Sequence, residues 1–410
     1  MKVEVLKNRH FCLFLFSSFL LYLITQFYFL AQVSLVLELT ESTILLGTIL
    51  MVMAIPRLII LPIGGMLTDK FSEKKVLIVG YSALILILAA LGVIERLNQL
   101  SLTKLFIFAG LFGVSSAIIL PATYSIVPKL VSDSNLQSAN ALVQFLNQLS
   151  FFIGPAIAGI LLGIVAVDIF FFAMGGVLLA AIFLLSGIKI IDDTNADTKD
   201  MNKGMVKGFI DVLKNRVIIM LILFTSILNV GVIGPQQVGL PVFAESYLKL
   251  DTTGLSYLLS TFGLGSLMGV LIGGLLPRNK NNFVIMSFIA AVFGVIWGAF
   301  IWTNSTWLVF ILLCASGLLI SIINILFITT LQTSTPKHLL GRVMSLLFMG
   351  STGLQPISYL MTGILIDLIG LQRTYSIAGA IIVVCSCLFM AMSGVEKRRK
   401  VGIDIKRYKI

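Results

Sequence analysis

Arg57 follows Pro56 inside a long apolar run and stands twelve residues before Asp69. On a helix rising ~1.5 Å per residue, that spacing separates the two by about 18 Å. A cation so far inside a stretch of Ile, Leu, Met and Gly is costly unless it faces protein or water. Three kinds of chemistry fit it: anchoring an anionic group of a bound molecule, pairing with a protonatable acid, or holding backbone carbonyls. A structural arginine beside a kinked helix is the plain alternative. Glu38, Glu41, Asp168, Glu245, Asp251 and Asp367 all fall near the ends of apolar runs. Glu38 and Asp367 are the deepest and are the candidates for protonation, but no carboxylate is obvious at mid-depth. Neutral polar residues recur at helical spacing. Tyr22 and Gln26 lie at i, i+4, and Asn140, Gln144 and Gln148 at i, i+4, i+8. Asn229 and Gln236 flank a Gly234-Pro235 break, and Ser321 and Asn324 share a face. Buried amides need partners or a cavity. Tyr22, Gln26, Arg57, Gln144, Gln148, Asn229, Gln236 and Asn324 are therefore expected to line a cavity, with interhelical hydrogen bonding as the alternative. Cys12, Cys314, Cys385, Cys387, His10 and His338 form no cluster. No catalytic group, metal site or cofactor is expected, and no Gly-x-x-x-x-Gly-Lys-Ser/Thr loop is present to hold ATP.

The elements that must position these residues follow from composition. Of 410 residues, 58% are hydrophobic and 11% charged, and the mean hydropathy is +1.06. A soluble domain of this length has no interior large enough for that apolar surface, which excludes a soluble enzyme, a nucleic-acid binder and a disordered chain. A membrane β-barrel is excluded as well, because its strands alternate apolar and polar residues. An all-α membrane protein remains. Helical spans are predicted over 11–37, 43–66, 76–94, 105–127, 140–165, 169–189, 217–243, 253–276, 283–302, 306–331, 343–366 and 375–393. With both termini inside, 24 of the 29 Lys and Arg residues fall on the cytoplasmic side. Miscounting one helix would scramble that asymmetry, so it supports an even number of spans and cytoplasmic termini in a bacterial cytoplasmic membrane. The basic tail after residue 394 is read as resting on anionic headgroups. The first apolar run follows Lys2, Lys7 and Arg9 but has no small-residue cleavage site after a short core, so it is read as an uncleaved helix.

The polar stretch 190–216 divides the chain into six spans and six spans. Gly159-Ile-Leu-Leu162 is echoed by Gly363-Ile-Leu-Ile366, and Pro128-Lys129 by Pro336-Lys337. The expected organisation is a six-helix bundle over 1–189, a cytoplasmic linker over 190–216, a second pseudo-symmetric bundle over 217–393 and a basic tail over 394–410. Two such halves enclose a central path that can open to either side by rocking.

Two motifs carry a family resemblance. Gly65-Met-Leu-Thr-Asp69-Lys70-Phe-Ser72-Glu73-Lys74-Lys75 resembles the loop signature of the major facilitator superfamily, Gly-x-x-x-Asp-Arg-x-Gly-Arg-Arg. Lys70, Ser72 and Glu73 replace the family's Arg, Gly and first Arg. The resemblance implies a conformational latch made by Gly65, Asp69, Lys70 and Lys74; Glu73 leaves its polar partners open, and a plain basic loop is the alternative. In span five, Ser150-Phe-Phe-Ile-Gly154-Pro155-Ala-Ile-Ala158-Gly159 is similar to the Gly-Pro motif of the family's export branches. Ser150, Gly154 and Ala158 form a small-residue stripe that permits close packing, and Pro155 can bend the helix. Ser150, Gly154, Pro155 and Gly159 are thus read as an exporter packing motif.

In overall layout the chain resembles the macrolide-efflux and enterobactin-exporter-like branch. That resemblance implies a twelve-helix secondary transporter that exports a small amphipathic, drug- or macrolide-like compound, in exchange for protons and as a monomer. Export of a siderophore or another metal-chelating metabolite is the alternative. The partners expected are the small molecule, protons and lipid; nucleic acid is not one.

Overall fold

The computed structural model describes residues 3–40, 42–189, 216–275, 282–303, 305–334 and 353–407. Its helices are α1 (Arg9–Thr40), α2 (Thr43–Lys70), α3 (Glu73–Arg96), α4 (Leu102–Leu130), α5 (Asp133–Ile164), α6 (Val167–Ser186), α7 (Arg216–Gly234), α8 (Thr252–Leu275), α9 (Asn282–Ala299), α10 (Thr306–Ser334), α11 (Gln355–Ile369) and α12 (Leu371–Arg407). No strand occurs among the described residues. Eleven of the described helical segments are long and apolar enough to cross a bilayer, and Gln355–Ile369 is a shorter apolar helix in the place of the predicted eleventh span. The start of that span, residues 343–352, lies outside the described residues, as do the linker 190–215 and the basic side chains of the tail. The last helix overruns its predicted end at 393 and continues to Arg407.

Two compact units emerge. The first comprises Met1–Ala196, Val238–Gly263 and Tyr359–Ile364; the second comprises Asp197–Gln237, Leu264–Ser358 and Leu365–Ile410. In the first unit α2 packs along α4, α3 along α4 and α6, and α1 along α5 and α6. Close approach rests on residues without side chains: a methyl group on Gly113 would run into the Met53 carbonyl of α2. Helix α2 begins at Ser42, whose hydroxyl accepts from the Leu45 N–H at 3.3 Å and so satisfies one of the free donors of the first turn.

In the second unit α9 packs on α12 and α10, and α7 on α12. Gly294, Gly298 and Gly379 bring the α9 and α12 backbones together, and Trp297, Phe300 and Tyr375 form a buried aromatic cluster beside them. Helix α7 changes character at Pro235, where the α-helix gives way to π-helical turns over Pro235–Gly239 and Phe243–Tyr247. Proline supplies no N–H and displaces the carbonyl one turn earlier. Side chains of the second unit take up the polar groups around that break. The Ser358 hydroxyl donates to Val230 O at 2.7 Å and accepts from Gly234 N–H at 2.9 Å. Tyr375 Oη donates to Pro235 O at 2.6 Å, and Trp297 Nε1 donates to Gly231 O at 3.1 Å.

Candidate functional site

Arg57 sits midway along α2, half-buried. Its Nε is sealed from solvent and has no hydrogen-bond partner among the described residues, nor does any carboxylate there pair with it. Tyr124, from α4, and Tyr359, from α11, lie within long-range electrostatic reach of it, and the Tyr359 backbone itself rests against Gly47 of α2. Tyr22 of α1 and Asn147 of α5 are both half-buried in the same unit. Tyr124 is 46% exposed. All of these residues belong to the first unit. A guanidinium with an unmet donor can bind an oxygen anion.

The other expected cavity residues are distributed differently. The side-chain stem of Gln26 lies against Gly154, so this residue packs α1 on α5 as well as presenting an amide. Gln144 and Asn140 are exposed and Gln148 half-buried on α5. In the second unit Asn229 is half-buried and Asn324 exposed, while Gln236 is buried on the first π-helical turn with its Nε2 unpartnered. Ser321 does not share the open position of Asn324: it is buried and donates to Ser266 Oγ at 2.8 Å, joining α10 to α8. Sequence reading passed over Tyr124, Asn147 and Tyr359. Tyr124 lies one turn before Pro128, and Asn147 is next to Gln148; a search for phenols and amides on every helix would have found both. It also passed over Gln32, 2% exposed, whose two amide atoms find no partner among the described residues.

Of the loop motif, Gly65, Asp69 and Lys70 are traced only as the backbone of the last turns of α2, and their side chains lie outside the described residues. Lys74 is described, and its Nζ donates to Ser186 O at 2.8 Å and Ile188 O at 2.7 Å, binding the carbonyl end of α6. Cations are favoured there by the helix dipole. Glu73, open in the sequence, is buried at the start of α3 and holds Lys129 through both oxygens, at 2.8 and 3.0 Å. In the span-five motif Ser150 is buried and donates to Leu146 O at 2.8 Å. Gly154 and Pro155 are buried too, and Gly159 faces Ser256 and Thr252 of α8 so closely that a methyl group there would meet Ser256. Thr253 Oγ1 donates to Gly159 O at 3.4 Å.

Glu38 is exposed near the end of α1, where it lines a cavity of about 250 Å³ with Ser34, Glu245, Asp251 and Thr252. Asp367 is exposed two residues before the end of α11. Among the described residues no group of three or more His, Cys, Asp or Glu side chains is arranged to hold a metal ion.

A family model described as Major Facilitator Superfamily matches residues 14–357. The Staphyloferrin A transporter of Staphylococcus aureus is 23% identical, over 95% of this chain and 97% of that protein. Macrolide efflux protein A of Streptococcus pyogenes is 22% identical over 92% and 93%. Enterobactin exporter EntS of Shigella boydii is 24% identical over 74% and 72%. Among solved structures, nucleoside transporter NupG superposes with a TM-score of 0.77 at 12% identity, over 93% of this chain and 99% of that one. A bacterial homologue of the iron transporter ferroportin, in an inward-facing state, superposes with a TM-score of 0.71 at 16% identity, over 95% and 99%.

Proposed function

Because this chain belongs to the major facilitator superfamily, and is a multi-pass membrane transporter and not an enzyme, we propose that it exports a small amphipathic organic compound by alternating access, in exchange for protons. The observation that carries this reading is the polar makeup of the first unit: neutral amides and phenols on its helices and one mid-helix guanidinium, Arg57, whose Nε is buried without a partner and which no carboxylate pairs with among the described residues. A sugar site needs many hydrogen-bonding partners and a polyanion site several cations; this group supplies neither. Relatives named for macrolide efflux and enterobactin export support the outward direction. The two-bundle organisation over 1–189 and 217–393, cytoplasmic termini, a monomeric state and a latch at Asp69 belong to the same proposal. Glu38 and Asp367 are its proton-carrying candidates. A second reading, export of a metal-chelating metabolite, is favoured by Arg57, because chelators carry oxygen anions. Deleting and overexpressing the gene, then scoring cellular accumulation across antibiotics and chelators with and without a proton gradient, tests the proposal. Reduced accumulation on overexpression that an uncoupler abolishes supports it, and unchanged accumulation across the panel overturns it.

A further inference from the structure

We propose that the seam between α9 and α12, within the second unit, binds one anionic phospholipid, with an acyl chain in a glycine-floored groove and the headgroup on Arg373. This needs only that the two helices cross a membrane, and it is independent of cargo and direction. Gly294 and Gly298 stand one turn apart on α9, and Gly379 of α12 faces both. A methyl carbon on Gly294 would lie 2.9 Å from Gly379 O, and one on Gly298 3.3 Å from Gly379 Cα. Backbones this close leave no side chain to fill the seam. The result is a cavity of about 320 Å³, floored by these glycines and walled by Val295, Val383 and Val384. Val295, Ala380 and Val384 are exposed, as are Phe288 and Leu388 on the same two helices. The groove therefore opens on the face that acyl chains cover. A second helix is about 10 Å across with its side chains, and the small-residue stripe that would admit one is already occupied by Gly379. Space for roughly ten water-sized groups, at ~30 Å³ each, suits a single hydrocarbon chain. One end of the groove is polar. There Trp302 Nε1 donates to Ser376 Oγ at 3.0 Å, and Trp302 and Trp307 are exposed. Tryptophans concentrate at headgroup level. Arg373, three residues before Ser376 and seven before Ala380, shares their face of α12 by helical spacing. It is exposed and makes no ion pair among the described residues. A guanidinium at that level matches phosphate oxygens. Lipid tails are as apolar as the groove, so shape holds the chain and charge selects the headgroup.

The test reconstitutes the full-length protein carrying Trp307→Phe in phosphatidylcholine bilayers. Trp297 is fully buried, so bromine atoms on lipid chains quench Trp302. The basic tail holds no tryptophan, and lipid drawn to it is silent. Phosphatidylglycerol with brominated chains should reach half-maximal quenching at a mole fraction at least threefold lower than phosphatidylcholine brominated in the same way. Arg373→Gln should bring the two lipids level. Ala380→Phe, which fills the groove from an exposed position, should do the same. Size-exclusion chromatography checks the fold of each variant. Should Trp307→Phe misfold, the native protein with both exposed tryptophans gives the same comparison, and either groove variant alone still decides the outcome. Level quenching by the two lipids without a groove substitution overturns the proposal, as does a phosphatidylglycerol advantage that survives either substitution in a folded protein. A Trp302 shielded from both lipids puts a second copy of the chain on this face and overturns it as well. Transport is not read, so these outcomes are separate from failure of the exporter reading.

Discussion

The Glu73 carboxylate grips the Lys129 ammonium through both oxygens, at 2.8 and 3.0 Å, tying the first turn of α3 to the last turn of α4. Glu73 is nearly inaccessible, while Lys129 keeps 40% of its side chain exposed. An acid in the first turn of a helix also meets the positive end of the dipole. The loop that introduces α3 is thus fastened by two contacts within the first unit, Glu73 to α4 and Lys74 to the end of α6.

Replacing Glu73 by Gln should lower the stability of the purified protein by about 1–3 kcal/mol, because the Lys129 ammonium loses its charged acceptor and a buried amide N–H2 is left to be satisfied. Thermal unfolding in detergent measures this. Glu73→Lys should be worse, and adding Lys129→Glu should recover part of the loss. Recovery should stay incomplete, since a lysine at the start of α3 opposes the dipole.

Gly154→Ala should impair folding or transport, because the new methyl carbon would lie 2.7 Å from Gln26 Cβ and 2.9 Å from Gln26 Cγ. Removing the obstructing side chain with Gln26→Gly in the same protein, which takes away both Cβ and Cγ, should relieve the α1–α5 overlap. Melting temperature, read for both single variants and the pair, shows whether the two substitutions compensate.

Ser358→Ala removes a hydroxyl that bridges Val230 O and Gly234 N–H beside the α7 break. The expected loss is about 1–2 kcal/mol, from the polar groups left unmet. If the break is where α7 bends during transport, the maximal uptake rate into vesicles should change more than the substrate concentration that half-saturates uptake.

Glu38→Gln should leave folding and membrane insertion intact and uncouple vesicle uptake of the exported compound from the proton gradient, with Asp367→Asn as the comparison. Uptake that still follows the gradient in both variants removes these two acids from the proton pathway.

Asp69→Asn should slow transport while leaving membrane insertion and expression unchanged, read by uptake beside quantitative immunoblotting. Normal uptake rates would count against the latch.

The sequence by itself determined that this chain lives in lipid, and very nearly where each helix runs. Apolar length and basic flanks are local properties, and the bilayer admits few structures that satisfy every backbone hydrogen bond. It also singled out Arg57, because a cation inside an apolar run needs no neighbour to be conspicuous. The companions of Arg57 were decided only by tertiary structure. Tyr124 and Tyr359 lie 67 and 302 residues beyond it in the chain, and no periodicity within one helix tells which face of another it will meet. The same holds for Glu73 and Lys129: opposite charges 56 residues apart become partners only once α3 and α4 have packed. Ser321 shows the reverse case. It shares a helical face with Asn324 by spacing, yet α8 covers it and leaves the asparagine open, because burial is set by what packs against a helix and not by the helix alone.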